Sequence, residues 1–185
     1  EMRNDFARVS INTGATAGAV HLLDDAFKRR RVVLLSGESG DEFQPLLSPL
    51  YYIQRALEPY ADLVRPTDAN LSVAIPKLLA NNPSVIIMAD IGRLPEDTYA
   101  PLQRWISNGG MLLRFAGPRL AAAPAEDPLI PVTLRQGERA LGGSLSWSEP
   151  QALAEFPGFS PFAGIPRPTD VTVNRQVLAE PTPDL

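Results

Sequence analysis

The side chains in this sequence that could do chemistry are few, and position groups them more than any motif does. "SGESGDE" (36–42) places Ser36 and Ser39 with Glu38, Asp41 and Glu42 in one glycine-containing loop. Such a loop ahead of a helix can cradle an anion through its backbone N–H groups. The lysine and spacing of a phosphate-binding loop are missing, G-x-G-x-x-G is missing, and three carboxylates would repel an anion. A plain turn is the better reading. Asp90 closes the apolar run "SVIIMAD", and Arg93 follows it in "IGRLPED". Arg119 comes just after the turn at Gly117-Pro118, where a guanidinium could hold an anion or make a structural ion pair. Carboxylates can do acid–base work without histidine, or hold Mg²⁺ or Ca²⁺. Asp24, Asp25, Asp68 and Asp90 are the groups to consider. His21 is the single histidine, which excludes a His-rich metal site. A Ser-His-Asp triad would need that same His21, which lies ahead of the regular part of the chain. The chain has no cysteine, so disulfides, thiolate metal ligands and cysteine nucleophiles are excluded together. The expectation is that no cofactor and no metal is held.

These groups sit on an ordinary globular background. The 185 residues suffice for one domain with a core and attached pieces. The formal net charge of −4 gives a nucleic-acid partner no electrostatic support. "KRRR" (28–31) is a solvated turn beside a strand. No apolar run approaches the ~18 residues of a membrane span. "EMRNDFARVSI" and "AEPTPDL" both read as interior sequence of a longer chain. Prolines are uneven: none precedes Pro45, eight lie from there to Gly117, and eleven follow from Pro118. The last third should therefore be loop-rich.

The elements that must position the chemistry follow from periodicity. "FARVSI" alternates as a strand. Ala19–Asp24 is expected to pair with Arg31–Leu35. "RVVLLSG" (31–37) is continuously apolar and suits a strand buried on both faces. "PLLSPLYYIQRALEPYA" spaces Leu46, Leu50, Ile53 and Leu57 as a helix, with Pro45 and Pro49 near its start. "DLVRP" is a short strand, "SVAIPKLLANN" a short helix, and "SVIIMAD" a third strand. "EDTYAPLQRWISNGG" is a helix with Leu102, Trp105 and Ile106 inward and Gly109 at its end. "MLLRFAG" is a fourth buried strand containing Arg114, which should point to an edge or pair with a carboxylate. This alternation predicts an α/β, doubly wound parallel sheet with right-handed crossovers, ligands binding outside its strands' carboxyl ends. Trp147, Phe156, Phe159 and Phe162 lie in "SWSEPQALAEFPGFSPFAGIPRP", where pinning of an irregular loop is favoured over a binding groove. "DVTVNRQVLAE" reads as a late strand separated from its partner.

"SVIIMADIGRLPEDTYAPLQRWISNGGMLLRFAG" resembles the class I glutamine amidotransferase-like fold: a strand ending in Asp90, the helix "LQRWISNGG" and the strand "MLLRFAG". The resemblance implies a G-x-C-x-G nucleophile elbow after the last strand. With Gly117 on its final glycine, Phe115 takes the cysteine's place and Leu113 that of the first glycine. No histidine follows His21, so the His–Glu pair is missing as well, and the implied elbow has no mechanism for glutamine hydrolysis.

The wider chain, in "LLDDAFKRRRVVLLSG", "LLSPLYYIQRALEPYADL" and the segment from Ser146 to Pro181, is similar to large bacterial membrane proteins. These have an aerotolerance-regulator-type N-terminal membrane segment, a von Willebrand A-like region and a C-terminal domain of unknown function. Leu35 stands where the D-x-S-x-S metal motif of von Willebrand A domains would have its aspartate. The resemblance implies an internal domain of a membrane-anchored cell-envelope protein on the periplasmic face, with any membrane segment outside this chain. Its partners would be neighbouring domains of the same chain and an envelope protein. The organisation expected is 1–30 as the end of a preceding β-rich region, 31–120 as a flavodoxin-like, amidotransferase-like core, and 121–185 as a Pro-rich extension with short strands. Ser36, Glu38, Ser39, Asp90, Arg93, Phe115 and Arg119 are the candidate ligand-binding residues. The expected role is non-catalytic sensing or protein interaction; a hydrolase using Ser36, Glu38 and Asp90, or a structural spacer, are the alternatives.

Overall fold

The computed structural model describes residues 6–12, 16–23, 28–37, 48–135 and 144–180. The chain divides into two compact units, Glu1–Phe115 and Ala116–Leu185.

The first unit opens with β1 (Arg8–Ser10) and β2 (Val20–Leu22), an exposed antiparallel pair in which Val9 faces His21. This corrects the expected pairing of Ala19–Asp24 with Arg31–Leu35. Both edges of that second strand, β3 (Arg30–Ser36), are occupied by parallel neighbours, β4 (Ala61–Val64) and β5 (Val85–Ala89). A continuously apolar strand gains most from a central place with both faces covered. β6 (Met111–Phe115) pairs with β5, and the four-stranded parallel sheet has the order β4-β3-β5-β6. This is an α/β fold with the flavodoxin-like order, its switch point between β3 and β5.

The helices follow from spacing and caps. α1 (Tyr51–Leu57) begins after a turn at Pro49 and Leu50. Leu50 and, beside it, Ile53 and Leu57 pack onto Val32, Leu34, Ala61, Ile87 and Ala89, which form one face of the sheet. α2 (Leu71–Ala80) is capped by Asn70, whose side chain accepts from the Ser72 N–H at 3.0 Å. α3 (Glu96–Ser107) carries Glu96 and Asp97 in its first turn, where carboxylates complement the helix dipole. The Ser72 hydroxyl joins the starts of α2 and α3 by donating to Asp97 at 3.0 Å. Val33, Leu35, Ile86 and Met88 alternate to the sheet's other face, the side on which right-handed crossovers place α2 and α3. All four are buried, as are Ala74, Ile75, Leu78 and Leu102 on those helices. Each fully buried side chain of this size contributes roughly 1.5–3 kcal/mol.

β6 departs from expectation. Its residues alternate instead of being buried throughout, with Met111, Leu113 and Phe115 exposed by 62%, 42% and 45%. They share the face of their partners Val85, Ile87 and Ala89. The hydrophobic cluster beneath α1 takes residues from β3, β4 and β5, so the edge strand lies past its reach.

The second unit contains α4 (Pro118–Ala121), β7 (Ser144–Ala152) and β8 (Thr172–Val177). β8 does have its partner in the chain, contrary to expectation. It pairs antiparallel with β7 from Ser144↔Val177 to Ala152↔Thr172, with an irregularity between Ser146 and Gln151. Pro150 falls within that irregularity, a place where a strand tolerates proline. Beyond β8 the chain continues along 133–135: the Arg135 N–H donates to Leu178 O, and the Glu180 N–H to Thr133 O, both at 2.8 Å. In the intervening loop the Phe156 and Phe162 rings pack at 5.4 Å, whereas Phe159 is 91% exposed. Phe156 is half-buried, but Phe162 is 55% exposed despite that contact, so the expected pinning fails for Phe159 and Phe162.

Candidate ligand site at the strand ends

The register aligns three of the proposed residues. Ser36 ends β3 opposite Ala89, and Ala89 lies opposite Phe115 at the end of β6. The ladder runs one residue further on each side: the Gly37 N–H donates to Ala89 O at 3.1 Å, and the Asp90 N–H donates to Phe115 O at 3.0 Å. Strands about 4.8 Å apart put Ser36 and Phe115 roughly 10 Å apart, with the start of the Asp90 loop between them. Ser36 and Asp90 therefore flank the switch point, the place where sheets of this class bind ligands because the chain leaves the two strands toward opposite faces.

Asp90 is half-buried and has a φ of 50°, in the left-handed region. Few side chains adopt it cheaply; aspartate does, because its short carboxylate bonds locally. At this residue the backbone turns out of β5 directly into the loop 91–95. Ile91 and Leu94 anchor that loop in the core, and the buried Thr98 hydroxyl donates to Pro95 O at 2.7 Å. Arg93 projects from the loop and pairs with Glu96 at 3.7 Å, both side chains well exposed. Such a pair adds little to stability. Arg93, three residues past Asp90, therefore offers an exposed guanidinium whose ion pair competes weakly with an incoming anion.

Arg114 is a positioning residue that the list of candidates omitted. Its guanidinium donates to Ile91 O at 2.7 Å and Gly92 O at 3.3 Å. It thus fastens the Asp90 loop to the edge strand. The signal was visible in the sequence: one arginine inside "MLLRFAG" has to find oxygen acceptors where it stands.

Glu38 and Ser39 lie outside the described residues. Arg119 belongs to the second unit, where it is exposed on α4. Gly117, which precedes α4, has a φ of −151°, an extended conformation open to any residue. Asp68 lies in another loop, accepting from the Asn70 N–H and pairing with Lys77 at 3.7 Å. Among the described residues no three His, Asp or Glu side chains come together as metal ligands, and no helix is long and apolar enough to cross a membrane.

A second overlooked feature lies at the opposite end of the sheet, where Trp105 lines a groove. Leu102 is fully buried as expected, but Trp105 and Ile106 are only half-buried. The chain matches no protein-family model, no curated protein and no solved structure.

Proposed function

We propose that this chain is a non-catalytic ligand-sensing or protein-interaction domain of a membrane-anchored cell-envelope protein. Its core is read as an amidotransferase-like fold that has lost the Cys-His-Glu triad. Phe115 carries the reading. It ends β6, the place at which that fold presents its nucleophile, and it offers an exposed aromatic surface in a row with Leu113 and Met111. A phenyl ring cannot attack a carbonyl, but an apolar row on an edge strand can meet a partner. The exposed Phe159 and Phe162 of the second unit point the same way. The partners in view are neighbouring domains of the same protein and an envelope protein on the periplasmic side.

The test is ammonia release from glutamine by the purified chain, alongside native mass spectrometry for a carried ligand. No release above buffer is expected, and sustained release would overturn the reading. A hydrolase of another kind is favoured by one observation, the left-handed Asp90 beside Ser36 across the switch point. That reading requires turnover of a simple ester such as p-nitrophenyl acetate that disappears in Ser36→Ala. The non-catalytic reading expects wild type and Ser36→Ala to behave alike.

A further inference from the structure

A groove of about 470 Å³ opens at the amino ends of β5 and β6. Its walls are the ends of α2 and α3 with the segments that lead into those strands. Its apolar lining comes from Leu79, Pro83, Pro101 and Trp105, and its polar side chains are Asn82, Arg104 and Asn108. The volume lies within the range of small-molecule sites.

The indole is fixed in advance of any ligand. Its Nε1–H donates to Pro83 O at 3.0 Å. A Cβ placed on Gly110 would lie 2.2 Å from Cε2 and 2.4 Å from Cδ2, the two atoms of the fused bond. That bond can be approached only from above a ring face, so Gly110 backs one face of the indole. Trp105 thus lines the groove as a ring held by Gly110 and by its N–H bond, leaving the rest of its surface for contact. The other walls are equally stiff: two prolines, and Asn82 held at a φ of 46°.

The polar groups narrow the ligand class. Among the described residues the Asn82 and Asn108 side-chain amides have no protein partner. Each offers donors and an acceptor, which suits hydroxyl groups, since these also both donate and accept. Arg104 gives its Nε–H to Ala100 O at 3.4 Å and is in none of the ion pairs among the described residues. Among the described residues no carboxylate lines the groove. The negative ends of α2 and α3 point here, but each amounts to about half a charge. Several carbonyls of their final turns are also taken: those of Lys77, Leu78 and Leu79 accept from Asn81 and Asn82, Asn81 O accepts from Arg31 at 2.8 Å, and those of Arg104, Trp105 and Ile106 accept from the N–H groups of Asn108, Gly109 and Gly110. Arg104 therefore sets the sign, and the ligand should be anionic. A polyproline peptide, whose backbone presents only acceptors, would want the indole N–H that Pro83 already takes.

We propose that this groove binds an acidic saccharide, a sugar ring lying on Trp105, its hydroxyls on Asn82 and Asn108 and its carboxylate on Arg104. The chain contains two tryptophans, Trp105 and Trp147, so Trp147→Phe makes Trp105 the sole indole reporter. In that background, trigalacturonic acid should change the fluorescence saturably, with a dissociation constant on the order of 1 mM or tighter. Asn108→Ala, Arg104→Ala and Asn82→Gly, all at exposed positions and the last keeping the left-handed backbone of Asn82 without strain, should each weaken binding about tenfold without moving the melting temperature. Three results overturn the proposal: no saturable change up to about 10 mM, an affinity unaltered in those three variants, or tighter binding of a proline-rich acidic peptide. Trp105→Ala is not needed for the decision, so a folding defect there leaves the test intact.

Discussion

Gly110→Ala should be among the most damaging single-methyl changes in the first unit, although it adds only one carbon. The new Cβ would stand 2.2, 2.4 and 2.6 Å from Cε2, Cδ2 and Cζ2 of Trp105. Carbon atoms rest at about 3.5–4.0 Å, so ring and backbone must separate by more than about 1 Å. A flexible side chain could swing away, but this indole is rigid and tethered through Nε1–H to Pro83 O. Overpacking of this kind costs about 1–3 kcal/mol, and losing the tether adds about 1 kcal/mol. The sum, ~2–4 kcal/mol, corresponds to a fall in melting temperature on the order of 5–15 °C for a chain of this length. Urea unfolding followed by circular dichroism reads the effect directly. Gly158→Ala is the control, because nothing lies within 4 Å of the Cβ it would add. The reasoning also predicts a coupling: once Trp105→Ala has removed the ring, Gly110→Ala should cost little. A Gly110→Ala protein within about 0.5 kcal/mol of wild type, or one equally destabilised in both backgrounds, would refute the steric account.

Two further stability predictions concern the strand-end region. At Asp90 the left-handed backbone should make Asp90→Val about 1–2 kcal/mol less stable than Asp90→Asn; equal denaturation midpoints would mean that the loop relaxes freely. Asn70→Ala removes the acceptor of the Ser72 N–H at the start of α2 and should cost ~1 kcal/mol in chemical denaturation, with Asn70→Asp retaining most of the stability.

Local patterns made much of the first unit legible. β3, β5 and the helices α2 and α3 lie within a residue or two of the segments read from periodicity, and even Pro76 and Pro101 stay inside their helices. Hydrophobic spacing and caps are properties of neighbouring residues, so they survive whatever the rest of the chain does. Partner choice is different. β1 with β2 and β7 with β8 were misjudged because pairing depends on which backbone edge is left open, and no short window records that. "MLLRFAG" reads like "RVVLLSG" in a window of seven; only its place at the sheet's edge leaves Met111, Leu113 and Phe115 exposed.

The same division runs through the two sites. Ser36, Asp90 and Phe115 could be proposed from the sequence because each closes an apolar run, and strand ends of one parallel sheet meet at one edge. The missing cysteine and the single histidine were likewise matters of composition. The left-handed turn at Asp90 and the clamp from Arg114 to the Ile91 and Gly92 carbonyls needed the packed chain. So did the groove around Trp105. Its parts come from 79–83 and 101–110, segments separate in sequence, and they meet only because β5 and β6 are neighbours in the sheet. Side-chain spacing determined the elements and the layered α/β plan. Tertiary structure decided which edges pair, which apolar faces remain open, and which distant polar groups share one cavity, because those outcomes depend on contacts across the chain rather than along it.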